Sequence, residues 1–137
     1  MKKLLILADD LTGALDTGIQ FAKLGISTQV LRYTETTPFT FPDTISVLVI
    51  DTETRPRTSE EAYHIVYELC RQAKALKIPY IYKKTDSALR GNIGSELKAV
   101  LDGTAEQTLH FIPAFPAAGR TTKEGIHFWN DTPIHKT

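Results

Sequence analysis

Short apolar runs alternate with helical patterns along this chain, and this alternation restricts its fold more than any other feature. The apolar runs that predict strands are residues 3–8, 28–33, 46–50, 80–84 and 109–112. Helical spacing fills several of the intervals, and such alternation is typical of a parallel sheet with helices on its faces. We therefore predict an α/β fold with three layers and a mostly parallel sheet of about five strands.

The second helix is the clearest prediction. Thr58 and Glu61 have the spacing of a capping box, and Pro79 closes the segment. Between them, apolar residues recur at helical spacing and predict one buried face. That face consists of Ala62, Ile65, Val66, Leu69, Cys70, Ala73 and Leu76.

Two further helices have weaker signals. The first is predicted over residues 13–24, stops at Gly25, and has an apolar face formed by Leu11, Leu15, Ile19 and Ala22. The third begins near Asn92, ends at Gly103, and is expected to turn inward Ile93, Leu97, Val100 and Leu101.

The last quarter of the chain has a different pattern. PAFPAAGRTT is a loop rich in proline and small residues, and the segment HFWNDTPIHK predicts a hairpin. Since the hairpin reaches the last residue, we expect residues 1–137 to form a single domain and the natural polypeptide to continue beyond Thr137.

Composition narrows the class of partner. The chain has 137 residues with 16 basic and 16 acidic side chains, so the broad positive charge that drives nucleic-acid binding is missing. Its apolar runs are too short to span a bilayer, and Asp9 and Asp10 interrupt the only signal-like start. We predict a cytoplasmic protein that binds a small molecule and neither nucleic acid nor membrane; its oligomeric state is unknown.

Two residue types are expected to be structural. Cys70 is the only cysteine and lies on the apolar face of the second helix, which predicts a buried, inert thiol. The four histidines lack the close spacing of metal ligands, and each is interpreted as structural or exposed: His64, His110, His127 and His135.

Polar stretches come directly after four of the predicted strands. They read ADDLTGALD, DTETR, KKTDSALRGN and PAFPAAGRTT in chain order. Ligands of parallel α/β sheets bind outside the carboxyl ends of the strands, where such stretches meet. The sequence therefore predicts a ligand site at that edge.

Acidic residues open the first stretch. Asp9 or Asp10 is expected to cap the following helix, which leaves the other free to accept a proton from a hydroxyl or to hold Mg²⁺. The sequence does not assign the two roles. Asp51, Glu53 and Arg55 come after the third strand. Arg55 is expected either to pair with these acids in solvent or to make a bidentate contact with a ligand carboxylate.

Basic residues dominate the later stretches. Arg90 and Gly91 precede the third helix, whose N-terminus favours an anion. Lys84 and Asp86 are expected to point into the crevice as oxyanion and hydroxyl contacts, whereas Lys83 faces away by strand alternation. Arg120 lies in a flexible loop and either binds an anion or is solvated.

Four motifs occur together in order: ADDLTGALDTG over residues 8–18, VIDTETR over 49–55, KKTDSALRGNIGSEL over 83–97 and PAFPAAGRTTKEGIHF over 113–128. With them the chain resembles the four-carbon acid sugar kinases, specifically their N-terminal sugar-binding domain. The resemblance implies transfer of the γ-phosphoryl group of ATP, with Mg²⁺, to the terminal hydroxyl of threonate, erythronate or 3-oxo-tetronate. It also implies a C-terminal nucleotide-binding lobe that this chain lacks, so the chain alone is not expected to catalyse.

The resemblance and the chemistry of the residues together suggest a role for each candidate. Asp10 or Asp9 orients the terminal hydroxyl, while Gly91 allows close backbone approach. The residues expected to hold the sugar acid are Lys84, Asp86, Ser87 and Arg90. Arg55 and Arg120 are expected to be secondary contacts. No GxGxxG occurs after a strand and no GxxxxGK[ST] occurs at all, so the nucleotide site is expected mostly outside this chain.

Two other functions compete with this interpretation. A receiver-type phosphoacceptor domain would use Asp51 and Thr85, but it also needs a lysine after the fifth strand, where Pro113 and Ala114 stand. A non-catalytic sugar-acid-binding fragment would differ from the kinase only in the polypeptide beyond Thr137.

Overall fold

The carboxyl ends of the parallel strands lie level with one another, which fixes the position of the polar loops. The structure is a computed structural model that describes residues 3–36 and 38–137. Its main sheet has the order β2-β3-β1-β4 and is parallel throughout. The strands are β1 (Leu4–Ala8), β2 (Thr28–Arg32), β3 (Val47–Asp51) and β4 (Tyr80–Lys84). Ala8 is in register with both Asp51 and Lys84.

Three helices cover the two faces of this sheet, which confirms the predicted three-layer α/β class. They are α1 (Leu11–Ala22), α2 (Ser59–Ala75) and α3 (Ile93–Thr104). Leu5, Leu7, Leu48 and Ile50 form a core on the face that α2 and α3 cover. The opposite face carries a second core, which contains Ile6, Ala8, Val47, Val49 and Ala14 of α1.

Helix α2 forms as predicted. Thr58 and Glu61 make both hydrogen bonds of the capping box, which satisfies two otherwise free backbone donors. Six of the seven predicted inward residues are buried, and only Leu76, at the C-cap, is 53% exposed. Cys70 is 0% exposed, so the predicted burial of its thiol is confirmed, and this burial raises its pKa to about 12.

Helix α1 forms, but the prediction of its buried face was wrong. Leu11, Leu15 and Ile19 are each about half exposed, and the face against the sheet consists of Gly13, Ala14 and Gly18. A Cβ added to Gly18 would lie 3.1 Å from Val30 Cγ2. The helix approaches the sheet so closely that only small residues fit between them.

Helix α3 also differs from its predicted inward face. Val100 is buried as expected, while Ile93, Leu97 and Leu101 are only half-buried. The other inward positions hold Glu96, Ala99 and Gly103. Gly103 does not end the helix; Ala105, in the left-handed region at φ 57°, is its C-cap.

The predicted fifth strand was wrong. Residues 109–112 form no strand in the described ranges, and β4 is an edge of the sheet. Both β4 and residues 108–115 line a crevice of about 1280 Å³. The two segments are therefore separated by open space rather than joined by hydrogen bonds, and Ile112 is 81% exposed.

The C-terminal hairpin is confirmed, but the loop predicted before it was wrong in part, because Arg120–Lys123 form a strand that pairs with the hairpin. A 3₁₀ turn over Pro116–Ala118 leads into β5 (Arg120–Lys123), β6 (Ile126–Trp129) and β7 (Thr132–Pro133). These strands form a separate antiparallel sheet in chain order. Across the described ranges, none of the helices has the length and apolarity that crossing a bilayer requires.

Two glycines of α3 provide a matched test of its packing. A Cβ on Gly103 would lie 2.7 Å from both Cys70 Cβ and the Tyr67 carbonyl oxygen, whereas one on Gly94 meets nothing within 4 Å. We expect Gly103→Ala to lower the free energy of unfolding by about 1–3 kcal/mol. Gly94→Ala should raise it by up to about 1 kcal/mol because alanine favours the helix. Urea denaturation measures both, and equal stability of the two variants would contradict the α2–α3 packing described here.

Candidate functional site

The polar loops after β1, β3 and β4 meet at one edge of the sheet, as predicted. Asp9 and Asp10 come after β1, Arg55 belongs to the loop after β3, and Asp86 belongs to the loop after β4. All four side chains join one network of ion pairs. The level strand ends bring them together although Asp9 and Arg55 are 46 positions apart in the sequence.

Arg55 is the centre of this network. Its Nε and Nη2 donate to the two carboxylate oxygens of Asp9 at 2.9 and 3.0 Å. Nη1 lies 3.0 Å from Asp10 Oδ2, and Nη2 lies 3.9 Å from Asp86 Oδ1. The hydrogen bonds to Asp9 raise the pKa of Arg55 further. The guanidinium is thus bound to acids of two other loops and is not a solvated partner of Asp51 or Glu53.

The structure separates the roles of Asp9 and Asp10. Asp10 is the N-cap of α1, and its Oδ1 accepts a hydrogen bond from Gly13 N at 2.9 Å. Its side chain remains 30% exposed and lines the crevice, whereas the Asp9 side chain is 0% exposed. Of these two acids, Asp10 is therefore the one exposed to the crevice, and Asp9 holds Arg55 in place.

Lys84 ends β4 on the α1 face of the sheet. A Cβ on Gly13 would lie 2.5 Å from Lys84 Nζ and 2.6 Å from Asp10 Oδ1, so the ammonium rests against the bare backbone of the first turn of α1. Within the described part of the chain, this ammonium forms no ion pair. A cation at a helix N-terminus without a carboxylate partner is available to an external anion.

Asp86 and Arg90 bind each other. Arg90 Nε and Nη2 donate to the two carboxylate oxygens of Asp86 at 2.7 and 3.0 Å, and Arg90 N donates at 3.1 Å. Burial alone would raise the pKa of Asp86, but the hydrogen bonds from Arg90 outweigh it and lower the pKa to about 2. The Nε and Nη2 groups of Arg90 are therefore already bound to a carboxylate of this chain.

The hairpin supports the loop after β4 through His127. Its Nε2 donates to the Ser87 carbonyl at 2.6 Å, and because a carbonyl only accepts, Nδ1 is left to accept from Thr122 Oγ1 at 2.9 Å. His127 is 6% exposed, so its predicted structural role is confirmed. Ser87 itself lines the crevice.

Gly91 and Arg120 have surroundings that the sequence did not indicate. Gly91 has φ +98°, and a Cβ there would lie 3.0 Å from Asp9 Oδ2. Its close approach is thus to the Asp9–Arg55 pair. Arg120 does not line the crevice; its guanidinium stacks over the Trp129 ring at 4.3 Å.

The crevice combines a polar end with an apolar wall. The polar end contains Asp10, Arg55, Lys84, Asp86, Ser87 and Arg90. The wall is formed by β4, α3 and residues 108–115, and it contains Tyr80, Tyr82, Leu97, Phe111 and Phe115. Sequence reasoning missed Thr12 and Asp16 of α1, which also line the crevice; their spacing of four residues on a helix was the available signal.

Residues 4–137 match the family described as sugar-binding N-terminal domain. The chain belongs to this family. Over 98% of its length it is 40% identical to a D-threonate kinase of Salmonella typhimurium, and over 100% it is 36% identical to a D-erythronate kinase of Heliobacterium modesticaldum. Other relatives carry the name 3-oxo-tetronate kinase.

A solved structure described as a domain of unknown function from Bordetella bronchiseptica has the same fold, with a TM-score of 0.87 at 32% identity over 99% of this chain and 35% of that one. It is described as a domain-swapped dimer with bound citrate. The chain spans about a third of its relatives' length, 31% of both the D-threonate and the D-erythronate kinase.

The Asp86–Arg90 pair predicts a loss of stability in acid. A carboxyl group whose pKa is lower in the folded state stabilises the fold when it is ionised. This contribution is complete above the ordinary pKa of about 4 and is lost as the pH falls toward the folded-state pKa. Since solvent screens the exposed Arg90, we expect Asp86→Asn to cost on the order of 1–2 kcal/mol at pH 7 and close to nothing near pH 2.

Urea denaturation from pH 7 to pH 2 measures this difference. Asp131→Asn, in the exposed hairpin turn, is the matched control and should behave as the wild type does throughout. A constant difference between Asp86→Asn and the wild type over the whole range would contradict the assigned pairing.

Proposed function

We propose that this chain is the sugar-acid-binding part of an ATP-dependent kinase that phosphorylates the terminal hydroxyl of a four-carbon sugar acid. The observation that carries the proposal is the unpaired Lys84 ammonium beside Asp10 at the N-terminus of α1. D-threonate, D-erythronate and 3-oxo-tetronate are the candidate substrates, supported by the names of the relatives.

The carboxylate of the ligand is the group that Lys84 fits. Of the described cations at the polar end of the crevice, Arg55 and Arg90 are already paired with acids of this chain, and Lys84 forms no ion pair. The first turn of α1 adds the positive end of its dipole at the same place. The citrate found in the Bordetella structure supports binding of a small carboxylate, and the N–H groups of Arg90 that Asp86 leaves free would add a second contact.

The hydroxyl groups of the ligand fit the acids and hydroxyls around Lys84. Asp10 presents a partly exposed carboxylate that would accept a hydrogen bond from the terminal hydroxyl and hold its proton. Asp86 and Ser87 would accept from the remaining hydroxyls. Arg55 holds Asp10 in place through their ion pair. We therefore assign Arg55 a supporting role and do not count it among the main ligand contacts. Gly91 has the same supporting role, and Arg120 drops out of the proposed contacts.

The phosphoryl donor is assigned outside this chain. When bound, ATP would supply the γ-phosphoryl group and Mg²⁺ would neutralise its charge. The described residues contain no group of three or more histidine, cysteine and acidic side chains suited to a metal, so they do not fit a metal site of their own. We propose that residues 1–137 form one domain and that the nucleotide contacts belong to a lobe corresponding to the remaining two thirds of the relatives.

A non-catalytic sugar-acid-binding role is the second candidate, favoured by the fraction of the relatives' length that the chain spans. Phosphate transfer from ATP to the four-carbon acids, measured on the native full-length polypeptide, separates the two, because the kinase candidate does not expect transfer by residues 1–137 alone. The receiver-type alternative loses its support, because Asp51 is 0% exposed and its Oδ1 accepts a hydrogen bond from Glu53 N.

Calorimetric titration tests the assignment of the anion contact. We expect the chain to bind D-threonate or D-erythronate and to bind the uncharged polyols threitol and erythritol at least about tenfold more weakly, because an ammonium–carboxylate contact is lost. Lys84→Met should weaken binding of the acids to the level of the polyols. Lys123→Met, on the exposed strand β5, is the control and should bind as the wild type does. Equal affinity for acids and polyols would show that Lys84 is not the anion contact.

A further inference from the structure

A buried ion pair lies beneath the site, on the face of the sheet that α2 and α3 cover. Lys83 Nζ is 3.4 Å from Glu96 Oε2, and the two side chains are 2% and 1% exposed. Two charges removed from water destabilise a fold unless their surroundings compensate them. Apolar residues at these positions would serve the core as well, so the pair requires a further explanation.

Lys83 and Glu96 each contact one of the loops that form the site. Lys83 Nζ donates to the carbonyl of Lys84 at 2.9 Å, which fixes the residue that carries the unpaired ammonium. Glu96 accepts a hydrogen bond from the hydroxyl of Thr54, the residue before Arg55. The ion pair thus joins the end of β4 to the loop after β3.

A chain of hydroxyl groups extends from Glu96 to the end of β1. Thr54 Oγ1 lies 2.8 Å from Thr52 Oγ1, which lies 2.9 Å from the Ala8 carbonyl oxygen. Both threonines are fully buried. Ala8 precedes Asp9, and Arg55 N donates to the Asp9 carbonyl at 3.2 Å. The two ends of the chain of hydroxyl groups therefore flank the Asp9–Arg55 pair.

The charge of Glu96 sets the direction of these hydrogen bonds, because each hydroxyl has one hydrogen to donate. When Glu96 is ionised, Thr54 donates to it, and the one hydroxyl hydrogen of Thr52 points either to the Ala8 carbonyl or to Thr54 Oγ1. The Ala8 carbonyl also accepts from the backbone N–H of Thr52 at 2.8 Å. When Glu96 carries a proton, it can donate to Thr54, and both hydroxyl hydrogens can turn toward Ala8.

We propose that Glu96 and Lys83 are positioning residues of the site: through Thr54 and Thr52 on one side and the Lys84 carbonyl on the other, they hold Arg55 and Lys84 in their binding positions. The ligand-binding part of this inference rests on the proposed function. The positioning of Arg55 does not depend on it.

Burial and the charges of Lys83 and Asp9 determine when Glu96 takes up a proton. Lys83 faces it from β4, Asp9 from the end of β1, and Cys70 of α2 lies near Lys83. Burial raises the pKa of Glu96, and it remains raised although Lys83 and Thr54 lower it. As the pH falls, Glu96 therefore takes up its proton at a higher pH than an exposed glutamate does.

Hydrogen exchange of the Arg55 Nε–H, measured by NMR, tests the positioning without any ligand. We expect Glu96→Gln to accelerate this exchange by about tenfold or more, because the loop opens locally more often. Glu124→Gln, in the exposed hairpin turn, should leave the exchange unchanged. Lowering the pH should loosen Arg55 in the wild type before an ordinary glutamate would titrate, and Glu96→Gln should abolish this pH dependence.

Titration with D-threonate and D-erythronate tests the ligand-binding part. A displaced Arg55 and Lys84 should weaken the affinity of Glu96→Gln by about tenfold or more, since small misplacements have effects of this size. If the wild type binds neither acid while Arg55 exchange still accelerates, the proposed function fails and the positioning role stands. If Glu96→Gln lowers only the melting temperature, with exchange and affinity as in the wild type, the positioning role is overturned.

A second pair of variants covers the case in which Glu96→Gln does not fold. Thr54→Val removes only the hydroxyl from which Glu96 accepts a hydrogen bond, whereas Thr54→Ser keeps it. We expect faster Arg55 exchange in Thr54→Val and recovery of slow exchange in Thr54→Ser. Equal exchange rates in the two variants would overturn the positioning role.

Discussion

The bidentate pair between Arg55 and Asp9 is the interaction on which the site depends. It joins the loops after β1 and β3 and is buried on the Asp9 side. Asp10 and Asp86 gather around the same guanidinium. Truncating Arg55 would leave the buried Asp9 carboxylate without its ion pair. Gly91 is compatible with this arrangement because any side chain there would press against Asp9.

The pairing of most charges within the site gives Lys84 its importance. Arg55 and Arg90 are bound to acids of this chain, and the Lys83 side chain, on the opposite face, meets Glu96. Strand alternation sends Lys83 and Lys84 to opposite faces of the sheet. Two adjacent lysines therefore have different surroundings: Lys83 is paired with Glu96 in the core, and Lys84 has an ammonium that forms no ion pair with the described residues.

Features with a local signal could be predicted from the sequence. These were the parallel strands that form, α2 with its capping box, and the hairpin. The buried face of α1 could not, because hydrophobicity favoured Leu11 and Leu15 while the close approach at Gly18 depends on Val30 across the layer. Residues 109–112 have strand-like composition but no neighbouring strand in the described ranges. Asp9, Asp10, Asp86 and Lys84 were placed at the correct edge. The pairing of the three acids with Arg55 and Arg90, and of Glu96 with Lys83, depends on tertiary contacts that the sequence does not display.

Chemical-shift mapping with D-threonate measures most directly whether this edge of the sheet binds a sugar acid. We expect amide shifts to concentrate in residues 10–13 and 84–91, with the side-chain signal of Lys84 among the largest changes. Shifts confined to the hairpin strands or to the far end of the sheet, or none at millimolar ligand, would contradict the assignment of the site.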